Sequence, residues 1–406
     1  MKCIRYGSKE LEKIYNRTLC RKPKVNWRVS KIIEDVRIGG DEALARYTKK
    51  YDKVKLIPKQ FRVSQAEISG AYQNISPDFV SSLKVIIDNV TKFYKRQIKK
   101  SWRIKDREGV VLGEKLTAID SVGVYIPAGQ APLVSTVYMT VLPAKIAGVK
   151  RIVLVSPPDK TGFINPHILV VADLLKVDEI YKAGGAQAIA ALALGTKTIP
   201  AVHKIVGPGN AYVTEAKRQV YGYVDIDMLA GPTELAIIAN RYSNSAYIKA
   251  DLLAQSEHNG GLSILITTSK AHLKQLKHID EKGYIVLVKN IGQAVEVANK
   301  IAPEHLEILM QNPFKILKNI RNAGAIFLGH YSPAAVGDYV AGPSHVLPTA
   351  ATAKFFSGLS LQDFVKSSHI ISYSKKALEE VREPLEKIAG IEGLNRHLES
   401  VKARYA

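Results

Sequence analysis

The stretch DLLAQSEHNGG, residues 251–261, sets Gln255, Glu257 and His258 within one turn, ahead of a glycine pair. Gln255 and His258 are three apart, so on a helix they share a face while Glu257 points elsewhere. A side-chain amide and an imidazole on one face can serve a metal. Glutamine is a neutral, weak donor, however, so a zinc site begun by this pair needs at least two more donors from distant segments. The same residues also make an ordinary polar helix end, with an imidazole suited to the C-terminal dipole and NGG as a stop signal.

Three further segments carry reactive groups. APEHLEI places Glu304 beside His305 in a helical setting, although an exposed Glu-His pair has no chemical meaning by itself. AVGDYVAGPSHVLPT places Asp338 and His345 in a loop bounded by Gly, Pro and small residues, where catalytic groups tend to lie on a rigid sheet. EGLNRHLESV brings Glu392 and His397 near the C-terminus. Asp338 and one of these histidines could join Gln255 and His258 in a zinc site of N and O donors. Three glycine-bearing turns, VYIPAGQAPL, KAGGAQAIA and VGPGNAYV, join β-branched runs to helical ones. At the carboxyl ends of parallel strands such turns bind ligands, and free N–H groups at helix starts favour phosphate. None has the spacing GxGxxG, so phosphate binding and a plain tight turn both stay open.

These residues need a frame. Residues 26–100 read as helices: DEALARYTKKYD follows Gly39-Gly40 with Asp41 as a cap, and SPDFVSSLKVIIDNVTKFYKRQ carries an amphipathic stripe. From about residue 120, strand-like and helical segments alternate (RIVLVSP, PHILVVADLLK, EIYKAG, AQAIAALALG, KIVGPG, NAYVTEAKRQV), which predicts a parallel sheet with crossover helices. A second series runs from ELAIIA through LSILITTS and YIVLVK to GAIFLG, giving two similar α/β modules. From about residue 374 the chain reads as a charged helical pair with little apolar surface of its own.

With 406 residues, 46% hydrophobic and 23% charged, the chain has room for two or more domains and a large core. The formal net charge of +21 admits nucleic acid, an anionic surface or anionic small molecules as partners. The basic residues are scattered over lysine-rich helices, which favours a solvated surface. Cys3 and Cys20 make neither a disulfide framework nor a cysteine-zinc cluster. The opening MKCIRYGSKELEK lacks the apolar core of a signal peptide, and Lys145 interrupts the longest apolar run, so the expected location is the cytoplasm.

GVYIPAGQAPLVSTVYMTVLPAKIAGV, GGAQAIAALALGT, KIVGPGNAYVTEAKRQV, DMLAGPTELAIIA, LLAQSEHN, APEHLEI, GDYVAGPSHVLPT and EGLNRH resemble, in order and spacing, the L-histidinol dehydrogenase family. The resemblance runs from about residue 30 to the C-terminus. It implies an α/β fold of two Rossmann-like parallel-sheet modules, aldehyde-dehydrogenase-like, with helical N- and C-terminal extensions. It also implies the last steps of histidine biosynthesis, in which L-histidinol is oxidised through L-histidinal to L-histidine with two NAD.

Position by position, the resemblance makes Gln255, His258 and Asp338 zinc ligands, one zinc per subunit, with His397 supplied by the partner of a homodimer. Glu304 and His305 become the acid–base pair. Thr233, His345 and Glu392 fall at substrate contacts beside Gln255, His258, His305, Asp338 and His397, while Tyr125, Gln187 and Asn210 match NAD contacts. The expected domains are an N-terminal extension, 1–20; a first α/β domain, 21–124 plus 235–360, carrying the metal and acid–base residues; an NAD-binding domain, 125–234; and a dimer-swapped helical segment, 361–406.

The chemistry is consistent with those roles. Aldehyde oxidation needs a nucleophile on the carbonyl before hydride leaves, and no cysteine follows Cys20. Water activated by a carboxylate such as Glu304 can serve, while His305 takes the alcohol proton. Thr233 stands where the family usually has Ser, Ala128 where it often has Gly, Ser344 where it often has Asn, and Ala334-Ala335 where it often has Glu-Ser. A related zinc and NAD dehydrogenase acting on a sulfonate diol is the alternative enzyme. A basic nucleic-acid-binding protein on the same scaffold is the alternative outside enzymes.

Overall fold

The computed structural model describes residues 1–17, 23–106, 108–128, 131–258, 260–279 and 282–404. Cys20, Gly129 and Gln130 of the first glycine-bearing turn, and Asn259 of the NGG stop lie outside the described residues. The chain forms two compact units, residues 1–97 with 119–364 and residues 98–118 with 365–406.

Unit one opens with β1 (Lys2–Arg5) and α1 (Lys9–Tyr15), then α2 (Pro23–Tyr51), α3 (Gln65–Tyr72) and α4 (Pro77–Lys95). The second unit supplies β2 (Trp102–Lys105) and β3 (Val111–Ala118). Unit one resumes with β4 (Ser121–Tyr125), α5 (Val134–Ala147), β5 (Arg151–Ser156), α6 (Pro166–Leu174), β6 (Glu179–Lys182), α7 (Gly185–Leu194), β7 (Lys204–Val206), α8 (Ala211–Val220) and β8 (Asp225–Ile226). A second series follows: β9 (Glu234–Ala239), α9 (Ser245–Ser256), β10 (Leu262–Thr267), α10 (Lys270–Leu276), β11 (Tyr284–Leu287), α11 (Ile291–Ile301), β12 (His305–Leu309), α12 (Phe314–Leu317), β13 (Ala325–Leu328) and α13 (Ala334–Tyr339). The second unit closes the chain with β14 (Val365–Ser372), α14 (Lys375–Glu380), α15 (Arg382–Ile391) and α16 (Asn395–Lys402).

Both series make parallel sheets with one strand order. The first sheet runs β6-β5-β4-β7-β8 and the second β1-β11-β10-β9-β12-β13. Counted within each series the order is 3-2-1-4-5, with β1 added at the edge beside β11. Runs such as RIVLVS, ELAIIA and HLEIL are buried almost throughout, as strands covered on both faces must be. Each fully buried Ile, Leu or Val side chain stabilises the fold by roughly 1.5–3 kcal/mol relative to exposure. The α/β class and the two parallel-sheet modules are therefore as expected, and no helix among the described residues is long and apolar enough to cross a membrane.

Three expectations change. The N-terminal extension is an integral strand and helix: Ile4, Leu11, Ile14 and Tyr15 lie in the core of the second sheet. Their apolar positions are too widely spaced among charges to read as a core segment. The helices of 23–95 pack on the first sheet's helices, α2 on α7 and α8, α3 on α6, and α4 on α5, and so are not part of the module carrying Glu304 and His305. The C-terminal segment is not wholly helical, because β14 pairs antiparallel with β3, which pairs with β2. Ile370 and Ile371 sit there in a short polar run that only this pairing makes a strand.

Candidate active site

The candidate acid–base residues sit at the amino end of β12, beside the amino end of the neighbouring central strand β9. β9 and β12 pair in parallel with His305 opposite Leu235. Glu304 precedes β12 and His305 begins it, so the pair is in a strand setting and not a helical one. Both are buried, with 7% and 5% exposure, which rules out the exposed Glu-His pair that carries no meaning. The HLEIL run is apolar on both sides of its single acidic residue, Glu307, and lateral pairing with β9 and β13 outweighs any local helical tendency.

Glu234 joins the two residues. Its N–H donates to Glu304 Oε2 at 2.9 Å, and its carbonyl accepts from His305 Nδ1 at 3.1 Å. In the neutral ring the second bond keeps the His305 proton on Nδ1, so Nε2 is the nitrogen that gains or loses the second proton. Nε2 lies 3.3 Å from Asp338 Oδ1, outside good hydrogen-bond alignment. Burial raises Glu304 to about 7, against the opposing pull of His305, the Thr233 hydroxyl and the Glu234 N–H. Burial works against the imidazolium of His305, but the carboxylates of Glu304 and Asp338 and the Glu234 carbonyl outweigh it and lift the ring to about 9.

Asp338 lies on α13, a short helix where a loop was expected. Gly337 lets that helix approach closely, since a Cβ there would fall 2.6 Å from the Phe327 ring, and the same ring lies 5.9 Å from that of His305. Burial would push Asp338 up, yet His305, His345 and His258 together hold it below the usual carboxylate range. His345 Nδ1 bonds the Asp338 carbonyl at 2.9 Å, and its Nε2 meets Thr136 Oγ1 at 3.2 Å, so both ring nitrogens are engaged. Burial depresses its protonation, favouring the neutral ring. Thr136 is in the first turn of α5, the helix that follows the first glycine-bearing turn, so this contact connects the Asp338–His345 segment to α5.

Gln255 closes α9 and is buried, whereas His258 follows the helix in a bend and is exposed, so the two do not share one helical face. The residues nevertheless suit a zinc ion on one observation: the buried Gln255 Nε2 has no hydrogen-bond partner, so no bond to that nitrogen fixes the amide against turning its oxygen to a cation, while anionic Asp338 lies within the field of His258. Among the described residues no group of three or more His, Cys, Asp and Glu side chains could hold a metal alone. A set with one glutamine and one donor from a second chain has only two such residues here. Glu392 caps α15 and His397 lies on α16, both exposed and both in the second unit.

The candidate cofactor residues surround the carboxyl edge of the first sheet. Tyr125 ends β4, is 4% exposed, and accepts the Gly185 N–H on its hydroxyl at 3.1 Å. Gln187, in the first turn of α7, is buried with Nε2 unpartnered. Asn210 Oδ1 is already used as the cap of α8, bonding Tyr212 and Val213 N–H groups, which leaves its amide nitrogen for a ligand. The Gly207 turn is held by a buried ion pair: Lys217 Nζ donates to the Gly207 carbonyl at 3.0 Å, Asp227 accepts the Gly207 N–H at 2.7 Å, and Lys217 and Asp227 bond each other. The Tyr125 and Asn210 turns follow β4 and β7, where the strand order reverses and open parallel sheets bind ligands, while the Gln187 turn follows edge strand β6 and is tied to them by the Gly185–Tyr125 bond.

Sequence reasoning missed two contributors. Glu307, two residues along β12 from His305, is buried and accepts the Ala334 N–H at 2.7 Å. Burial and the adjacent Asp251 raise it to about 8. At the first residue of α13, where the resembled family often has Glu, the helix amide is thus served by a carboxylate from the sheet. Glu234 is the second, read only as part of a strand; its proximity to Glu304 follows from the parallel register, which one sequence does not give.

The family model described as histidinol dehydrogenase matches residues 16–405. The histidinol dehydrogenase of Clostridium acetobutylicum is 46% identical over 428 aligned positions, covering 100% of this chain and 99% of that protein. That of Caldanaerobacter subterraneus is 47% identical, covering 97% and 95%. The crystal structure of histidinol dehydrogenase from Elizabethkingia anophelis superposes with a TM-score of 0.93 at 36% identity, covering 100% of this chain and 98% of that one. With one family model spanning nearly the whole chain and relatives matching end to end, this chain belongs to the histidinol dehydrogenase family.

Proposed function

We propose that the protein oxidises L-histidinol through L-histidinal to L-histidine, the last steps of histidine biosynthesis, reducing two NAD per substrate. It does so as a cytoplasmic, zinc-dependent homodimer. The observation that carries this reading is the buried Glu304–His305 pair held by the two backbone groups of one residue, Glu234, with Asp338 beside Nε2 of His305. The relatives, histidinol dehydrogenases, supply the substrate.

Gln255, His258, Asp338 and His397 of the partner subunit would hold the zinc, which supplies a template for the imidazole and amino nitrogens of histidinol. Tyr125, Gln187 and Asn210 hold the NAD, which supplies the hydride acceptor. Thr233, His345 and Glu392 complete the substrate contacts. In the first oxidation the neutral form of His305 keeps its Nδ1 proton on the Glu234 carbonyl and takes the alcohol proton at Nε2. In the second, Glu304 takes a proton from water as its oxygen adds to the aldehyde carbon. Burial excludes other water and gives Glu304 a basicity near neutral pH, as a general base needs.

The test is NADH formation from L-histidinol and from a sulfonate-bearing diol, before chelation, after it, and after zinc is returned. Turnover of L-histidinol that is lost on chelation and restored by zinc supports the reading. Turnover of the diol alone, or turnover indifferent to chelation, overturns it.

A further inference from the structure

We propose that Arg17 is a positioning residue for the acid–base pair, acting through Glu234. This deepens the reading of Glu304 and His305 as that pair and rests on it. The Arg17 guanidinium clasps the Glu234 carboxylate with two nitrogens, Nε meeting Oε1 at 2.6 Å and Nη2 meeting Oε2. Nη1 donates to the Ile14 carbonyl at 2.9 Å and to the Ile301 carbonyl at 2.6 Å. The Ala350 N–H adds a further bond to Glu234 Oε1 at 3.1 Å. Both charged side chains are largely buried, at 16% and 6% exposure.

The two anchored points are those from which the acid–base pair projects. Ile301 ends α11, and three residues later the chain reaches Glu304, passing through Ala302 in a left-handed conformation with φ 48°. Glu234 begins β9 and holds Glu304 with its N–H and His305 with its carbonyl. One planar fork therefore sets both the approach to Glu304 and the peptide that fixes the His305 tautomer. Arginine suits this task because its donors diverge in a fixed plane, whereas a lysine ammonium is a point charge that cannot span a carboxylate and two carbonyls in the same way.

The experiment uses the full-length zinc-loaded protein. Arg17→Ala should lower kcat for both oxidations about 10- to 100-fold, the scale of a misplaced catalytic group, with KM for NAD little changed. Guanidinium ion at millimolar, non-denaturing concentration should restore part of that rate, and sodium chloride at equal ionic strength should not. Nitrogen-15 NMR at a pH above about 9, where the ring is neutral, with His305 assigned by comparison with His305→Asn, should show a single Nδ1–H tautomer in the wild type and a mixture in Arg17→Ala. Should Arg17→Ala fail to fold, Arg17→Lys serves instead, with an intermediate kcat expected. Wild-type kcat in Arg17→Ala or in Arg17→Lys, or a lowered kcat with an unchanged tautomer and no guanidinium rescue, would overturn the proposal. A wild-type protein inactive on L-histidinol would defeat the functional reading, while the tautomer measurement would still decide the role of Arg17.

Discussion

Glu304 Oε2 accepts the Glu234 N–H across 2.9 Å, so the base assigned to the aldehyde step is fixed to the first residue of the adjacent strand. Burial raises this carboxyl to about 7. A group acts as base only when ionised, so oxidation of L-histidinal should fall as pH drops through about 7, approaching tenfold per unit below it. Initial rates from L-histidinal between about pH 5.5 and 8.5 check this, with His unperturbed near 6.5 as the competing source of a limb. Glu304→Gln should abolish the limb along with most of the rate. A flat profile in the wild type contradicts the assignment.

The two half-reactions should separate by mutation. Glutamine at 304 keeps the size of the side chain but cannot take a proton from water, and loss of a general base costs about 10²–10⁴-fold. Glu304→Gln should therefore slow L-histidinal oxidation far more than its reduction by NADH. His305→Asn should slow the alcohol–aldehyde interconversion more. Both directions from L-histidinal are measured at matched zinc occupancy, and equal losses in both for Glu304→Gln contradict the division of labour.

The legibility of this protein in its sequence divides along physical lines. The two α/β modules were readable because β-branched runs such as RIVLVS and ELAIIA alternate with helical stretches of regular period. The strand HLEIL was not, since its charged first and third residues disguise a segment buried on both sides. Asp338 was located in sequence but not its helix, which lies close against Phe327 only because residue 337 is glycine. The role of Glu234 depends on β9 lying next to β12, a register that no local pattern encodes. Likewise Arg17 lies 217 positions from its carboxylate partner. Local period specifies elements; long-range pairing assembles the site.

Removing one candidate ligand should uncouple metal from fold. His258 is exposed and follows α9 in a bend, so between metal-free proteins His258→Ala should change stability by no more than about 0.5 kcal/mol. The same variant should lose zinc and activity together. Metal analysis and thermal unfolding of purified protein check both points; full zinc content in the variant contradicts the ligand assignment.

Sharing of a site between subunits should show as complementation. Neither His258→Ala nor His397→Ala alone should turn over. Chains of the two variants mixed under conditions that exchange subunits should recover part of the activity, because one site of each heterodimer then draws intact ligands from both chains. Absence of recovery at every ratio, with mixing proven by mass spectrometry, contradicts a shared site.

The central claim is one protein performing two successive oxidations on one substrate, and the direct measurement is the yield of NADH from a limiting amount of L-histidinol with excess NAD. The account predicts two NADH per L-histidinol consumed, with L-histidine as the product and no free L-histidinal accumulating. One NADH per substrate with L-histidinal as the product, or no NADH from L-histidinol at full zinc occupancy, would contradict it.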